Sequence, residues 1–108
     1  MKLRRDPFQA IADPTRRAIL LLLAAQTMTA GTIAENFEAA RPTISKHLQV
    51  LQECELIDSN QKGREVFYEI KVDKMKEIDQ WLEQFRKIWE SRFGQLDNLI
   101  AKLNHKKP

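Results

Sequence analysis

The stretch RPTISKHLQVLQECELIDSNQKGREVFYEI, Arg41 to Ile70, changes period in its middle, and that change decides the fold. From Ala40 to Gln52 the apolar residues Ile44, Leu48 and Leu51 recur at helical spacing, which puts them on one buried stripe. Beyond Leu51 the pattern alternates. Leu56-Ile57 opens one strand, and Val66, Tyr68 and Ile70 fall on one face of another. Gln61-Lys62-Gly63-Arg64 lies between them, and Gly63 can take the positive φ of a hairpin turn, so that Lys62 and Arg64 project from the tip.

With Ile44, Leu48 and Leu51 turned inward, the outer face of the helix carries Thr43, Ser45, Lys46 and Gln49, with Arg41 at its start. These side chains can meet base edges or hold phosphates. No acid occurs between Ala39 and Gln52. A solvated helix usually mixes signs, whereas one entering a groove lined by phosphates must avoid carboxylates. A solvated face is the alternative for the helix, which on its own favours DNA contact, and a solubilising turn explains the tip equally simply. The basic tip directly after the acid-free helix is what strengthens the reading of contact with DNA.

Upstream, Asp6-Pro7 opens a short helix with Phe8, Ile11 and Ala12 as its apolar stripe, the Pro in the first turn where its missing N–H is harmless. Asp13-Pro14-Thr15 repeats the device: Asp13 is the N-cap and Arg16 to Gln26 the body, with Ile19, Leu20, Leu22 and Leu23 mostly buried. Thr29 caps a third helix bearing Ile33, Ala34 and Phe37, and the next begins after a turn of a few residues, so the pair reads as helix-turn-helix. Cations near the start of a helix oppose its dipole, so Arg16 and Arg17 need partners, either carboxylates or DNA phosphates.

The predicted class is mainly α with a small β-hairpin, one domain over residues 1–108. Its helix-turn-helix covers about 29–54, its hairpin about 56–70 and a long C-terminal helix about 74–103. Asp73 is placed as the cap of that last helix and Asn104 to Pro108 as a frayed tail. Met75, Ile78, Leu82, Phe85, Trp89, Leu96, Leu99 and Leu103 recur along the helix at intervals near three and four, and Trp81, Ile88, Phe93 and Ile100 widen the stripe. So small a domain cannot cover it. A second copy is the simplest partner, with Phe8, Met75, Ile78, Leu82, Phe85, Trp89 and Leu96 at the seam; the alternative is a helix broken near Gly94 and folded back.

A formal charge of +3 over 108 residues is too mild to imply nucleic acid by itself. Its distribution says more: Met1 to Arg5, Pro14 to Ala34, Ala39 to Gln52 and Ser59 to Arg64 hold only cations among their charged residues. One cysteine, Cys54, allows no internal disulfide, and the longest apolar run, Ala18 to Ala25, is too short for a membrane span. A cytoplasmic protein without membrane contact is expected.

DPTRRAILLLL at Asp13 to Leu23, TISKHLQVL at Thr43 to Leu51 with Glu55-Leu56-Ile57 after it, and KGREVFYEI at Lys62 to Ile70 resemble the ArsR-type winged helix-turn-helix transcriptional regulators of bacteria and archaea. The resemblance spans nearly the whole chain. It implies a homodimer built on terminal helices that binds double-stranded DNA at a partly palindromic operator, usually repressing until a signal releases it. It places Thr43, Ser45, Lys46, His47 and Gln49 on the recognition helix and Lys62 and Arg64 on the wing. His47, at the border of the buried stripe, either contacts phosphate or caps the packing; a structural role close to DNA is the favoured reading.

The chain departs from the metal-sensing members of that family. Thiolate sensors place two or three cysteines, commonly as CxC, on the helix before the recognition helix, yet TMTAGTIAENF holds neither Cys nor His. Zinc-type sensors use Asp and His pairs on the terminal helix. Here Asp79, Glu83 and Glu90 stand there without a His before His105. No metal or other cofactor is expected, and Cys54 is read as a small buried apolar side chain. A metal-responsive derepressor and a protein-docking module are the competing readings, with an effector, small molecule or protein, left open. No Ser-His-Asp set, phosphate-binding Gly loop or paired carboxylate supports an enzyme.

Overall fold

The computed structural model describes residues 6–105, with only the backbone of His105. The order is α1 (Pro7–Ile11), α2 (Pro14–Ala25), β1 (Met28–Thr29), α3 (Ala30–Ala34), α4 (Arg41–Glu53), β2 (Ile57–Lys62), β3 (Glu65–Ile70) and α5 (Met75–His105). The chain divides into two compact units at Lys76 and Glu77.

Three helices start where the sequence places caps. Asp6 accepts from the Gln9 amide at 2.9 Å, Asp13 from that of Arg16 at 3.0 Å and Thr29 from that of Thr32 at 3.2 Å. The stripe on α1 differs from expectation: Pro7 and Ala10 are buried and Ile11 packs partly buried against the core, while Phe8 is 36% exposed and Ala12 is exposed.

Ile19, Leu20 and Leu23 from α2, Ile33 from α3 and Ile44, Leu48 and Leu51 from α4 meet with Leu56 and Ile57 in one apolar cluster. Cys54 lies within it, as expected of a small apolar side chain. The α4 helix ends with Glu55 at φ +62°, where the Leu56 amide donates to the Leu51 carbonyl and that of Glu55 to Gln52. This is a Schellman arrangement with glutamate in the seat that usually favours glycine.

The sheet has three strands in the order β1-β3-β2, all antiparallel. The sequence shows two of them. The third, β1, pairs Met28 with Tyr68 and Thr29 with Phe67, so Thr29 ends a strand and caps α3 at once. Ile57 pairs with Ile70 at the base of the hairpin and Lys62 with Glu65 at its tip. Gly63, at φ +65°, takes the first place of the two-residue turn and Arg64 keeps a negative φ, the sense of a type II′ turn.

The 31-residue α5 would extend about 46 Å at 1.5 Å per residue. It starts at Met75, two residues after the expected cap Asp73, which lies in the preceding turn with its carbonyl accepting from Lys76. It passes Gly94 without a break and includes Asn104 and His105, which the sequence pattern assigns to a frayed tail; the rest of that tail lies outside the described residues.

Candidate nucleic-acid interface

Burial of Ile44, Leu48 and Leu51 fixes the rotation of α4 and leaves Arg41, Thr43, Ser45, Lys46 and Gln49 exposed on its other sides. No carboxylate lies in the first turn, so nothing there neutralises the positive end of the helix dipole. One turn is less open than its sequence suggests: Gln49 Nε2 donates to Glu53 Oε1 at 3.2 Å, so an acid just past the predicted face holds its carboxamide.

Arg41 and Ser45 share a groove of about 540 Å³ with Arg64 of the hairpin, Thr29, Gly31 and Tyr68. The pairing of β1 with β3 brings Thr29 and Gly31 to the recognition helix and the wing, and neither stands out from sequence. Gly31 lies beside Arg41: a Cβ there would sit 4.0 Å from the guanidinium carbon, an ordinary contact. Glu65, opposite Lys62, is the acid in this groove, and Lys62 Nζ lies 5.8 Å from the Phe67 ring centroid. The tip is therefore basic with one carboxylate beside it.

Within the chain, Arg16 and Arg17 bond to main-chain carbonyls. Arg16 donates from Nε to the Ala10 carbonyl at 2.8 Å and from Nη2 to that of Gln9 at 3.0 Å, while Arg17 Nη1 donates to Ile11 at 2.7 Å. These carbonyls close α1; that of Gln9 also accepts from the Ala12 amide at 3.3 Å, and the arginines supply further donors at this helix end. Two cations unfavourable at the start of α2 thus serve the negative end of the helix before it.

His47 is tied to the same place. Its Nδ1 lies 3.4 Å from Arg16 Nη1 and 3.9 Å from Asp13 Oδ2, and its side chain is 19% exposed. The Asp13 carboxyl is held below its ordinary pKa, chiefly by the Arg16 amide it caps and also by the charges of His47 and Arg16.

On α5, Met75, Ile78 and Leu82 are half-buried, while Phe85, Trp89 and Leu96 are 39%, 41% and 50% exposed. Asp79 and Glu83 both pair with Arg86, whose pKa they raise by hydrogen bonding. Among the described residues no cluster of three or more His, Cys, Asp and Glu is poised to hold a metal, and no helix is long and apolar enough to cross a membrane.

A helix-turn-helix followed by a hairpin, with a cationic face shared between them, defines a winged helix-turn-helix transcriptional regulator. A helix-turn-helix domain model matches residues 11–60. The transcriptional repressor SdpR of Bacillus subtilis (strain 168) is 42% identical over 78 residues, 72% of this chain and 87% of that protein. An uncharacterised HTH-type transcriptional regulator of Methanocaldococcus jannaschii is 39% identical over 72 residues, 66% of this chain and 81% of that one. Among solved structures, an ArsR-like transcriptional regulator from Rhodococcus sp. RHA1 superposes with a TM-score of 0.64 at 30% identity, covering 85% of this chain and 87% of the other. A crystal structure of an ArsR family transcriptional regulator gives 0.68 at 34% identity, covering 78% and 87%. The chain belongs to the ArsR family of winged helix-turn-helix transcriptional regulators, which are DNA-binding proteins and not enzymes.

Proposed function

We propose that the protein is a homodimeric repressor that lays α4 in the major groove of a partly palindromic operator, with its wing on the neighbouring backbone, and that it acts without a bound metal. The observation that carries this reading is the rotation of α4: its apolar stripe is buried and every residue of the proposed reading face except His47 is exposed, beside the groove shared with Arg64. Arg41, Thr43, Ser45, Lys46 and Gln49 read bases or hold phosphates, and Lys62 and Arg64 hold the backbone. The repressor named among the relatives supports the sign of regulation.

The dimer is supported by α5. Trp81, Ile88, Phe93, Leu96, Leu99, Ile100 and Leu103 are each between 47% and 63% exposed, more apolar surface than a monomer ordinarily leaves to water. Phe8, Met75, Ile78, Leu82, Phe85, Trp89 and Leu96 form the seam, and the two α4 helices then enter successive major grooves about 34 Å apart. Metal independence rests on the donors: the single Cys is buried in the core, and Asp79 and Glu83 are engaged by Arg86.

The test is a fluorescence-anisotropy titration against DNA from the gene's own upstream region, at two salt concentrations, with chelator and then with zinc. Tight binding that weakens steeply with salt and ignores zinc is expected, with Lys62→Ala lowering the salt slope by about one. Release by zinc would overturn the metal-independent reading.

A further inference from the structure

Arg16 links three helices through one guanidinium. Nε and Nη2 are committed to the carbonyls of Ala10 and Gln9 at the end of α1, while Nη1 points to His47 Nδ1 on α4 at 3.4 Å. Its backbone amide is held by Asp13 Oδ2, the oxygen 3.9 Å from the same ring nitrogen. A guanidinium only donates and does not lose its proton in proteins, so a bond between Arg16 and His47 requires Nδ1 to be the bare nitrogen, with the hydrogen on Nε2. Protonation reverses this. Nδ1 becomes a donor facing a cation on one side and the Asp13 carboxylate on the other.

We propose that His47 is a positioning residue: its neutral ring accepts from Arg16 and fixes the register of the recognition helix on the α1–α2 corner, and its protonation exchanges that bond for Asp13 and loosens sequence discrimination. The charged groups ranged against the ring are Asp13 and Arg16 from α2, with Lys46 beside it on α4. From α1 come the carbonyls of Gln9 and Ala10, both engaged by Arg16. Hydrogen bonds to bases depend on the placement of α4 far more than those to phosphates do, so the ratio of specific to random binding reports the change. The inference rests on α4 being the helix that reads bases.

A direct phosphate contact by His47 predicts the opposite sign, because a protonated ring would then strengthen binding to every duplex. The experiment measures anisotropy between about pH 8 and pH 5.5, where imidazoles change charge, at constant ionic strength. Its probes are a duplex selected from a random pool by the wild-type protein and a scrambled one. The specific-to-random ratio should fall by about tenfold, the scale of a hydrogen bond to a charged group, while affinity for the scrambled duplex holds or rises. The midpoint should coincide with the His47 ring titration followed by NMR. His47→Asn, whose Oδ1 can stand near the place of Nδ1 and does not titrate, should keep the high ratio and lose its pH dependence. His47→Leu, checked for native melting, should show the low ratio throughout.

Parallel tightening on both duplexes, a ratio unchanged across the His47 titration, or a His47→Asn profile equal to wild type would each overturn the proposal. A wild-type protein that discriminates well but independently of pH overturns it alone. One that discriminates at no pH overturns the α4 reading with it.

Discussion

Replacing Asp13 tests how the corner between α1 and α2 is held. Its carboxylate accepts from the Arg16 amide at 3.0 Å at the start of a 12-residue helix that supplies Ile19, Leu20 and Leu23 to the core. Loss of such a cap costs about 1 kcal/mol, and a negative charge at a helix N-terminus adds about 0.3–1 kcal/mol. Asp13→Ala removes both and should cost about 1–2 kcal/mol; Asp13→Asn keeps the cap and should cost only the charge. For a domain of this size each kcal/mol lowers Tm by about 4–8 °C. The assay is thermal unfolding followed by circular dichroism at one fixed protein concentration, since a dimer's Tm depends on it.

The Asp13 pKa is depressed in the fold, so its charge stabilises fully above the unfolded value, about 3.9, and the contribution is lost as pH falls through the lower folded value. The difference between wild type and Asp13→Asn should therefore shrink toward zero once the pH falls below about 3.9. Asp13→Asn as damaging as Asp13→Ala at neutral pH, or a gap unchanged in acid, would mean that the Asp13 carboxylate does not cap α2 in this way.

Gly63 sits at φ +65° with nothing within 4 Å of an added Cβ, so Gly63→Ala should cost about 1 kcal/mol through backbone strain alone. Chemical denaturation measures this, and operator affinity should fall with it as the wing loses its turn. Charging the α5 stripe with Leu82→Glu and Phe85→Lys should give monomers by light scattering and much weaker DNA binding, because one half-site then binds alone. An unchanged mass would place the seam elsewhere.

The legible part of the sequence is local. Asp13-Pro14 marks a helix start within three residues, Ile44, Leu48 and Leu51 share one face by spacing alone, and Gly63 between two alternating runs specifies a turn. The illegible part depends on distant partners. Met28 and Thr29 are a strand only because Tyr68 and Phe67 lie opposite, some forty residues later, so the third strand and the place of Gly31 beside Arg41 stay hidden. Arg16 and Arg17 are recognisable as cations in need of partners, but main-chain carbonyls leave no mark in a sequence. Glu55 gives no sign of its positive φ, since a glycine is the usual signal for that seat. On α1 the apolar spacing favours Phe8, Ile11 and Ala12, whereas the fold buries Ala10, packs Ile11 partly against the core and leaves Phe8 exposed.

Whether α4 reads bases with its exposed face is decided by the operator and random-DNA affinities of a Ser45→Ala, Gln49→Ala double variant, measured beside wild type at one salt concentration. Operator affinity should be lower by about 1–3 kcal/mol for each hydrogen-bonded base edge that the substitutions release, with random-DNA affinity nearly unchanged. Operator and random affinities that both stayed at wild-type values would contradict base reading by that face.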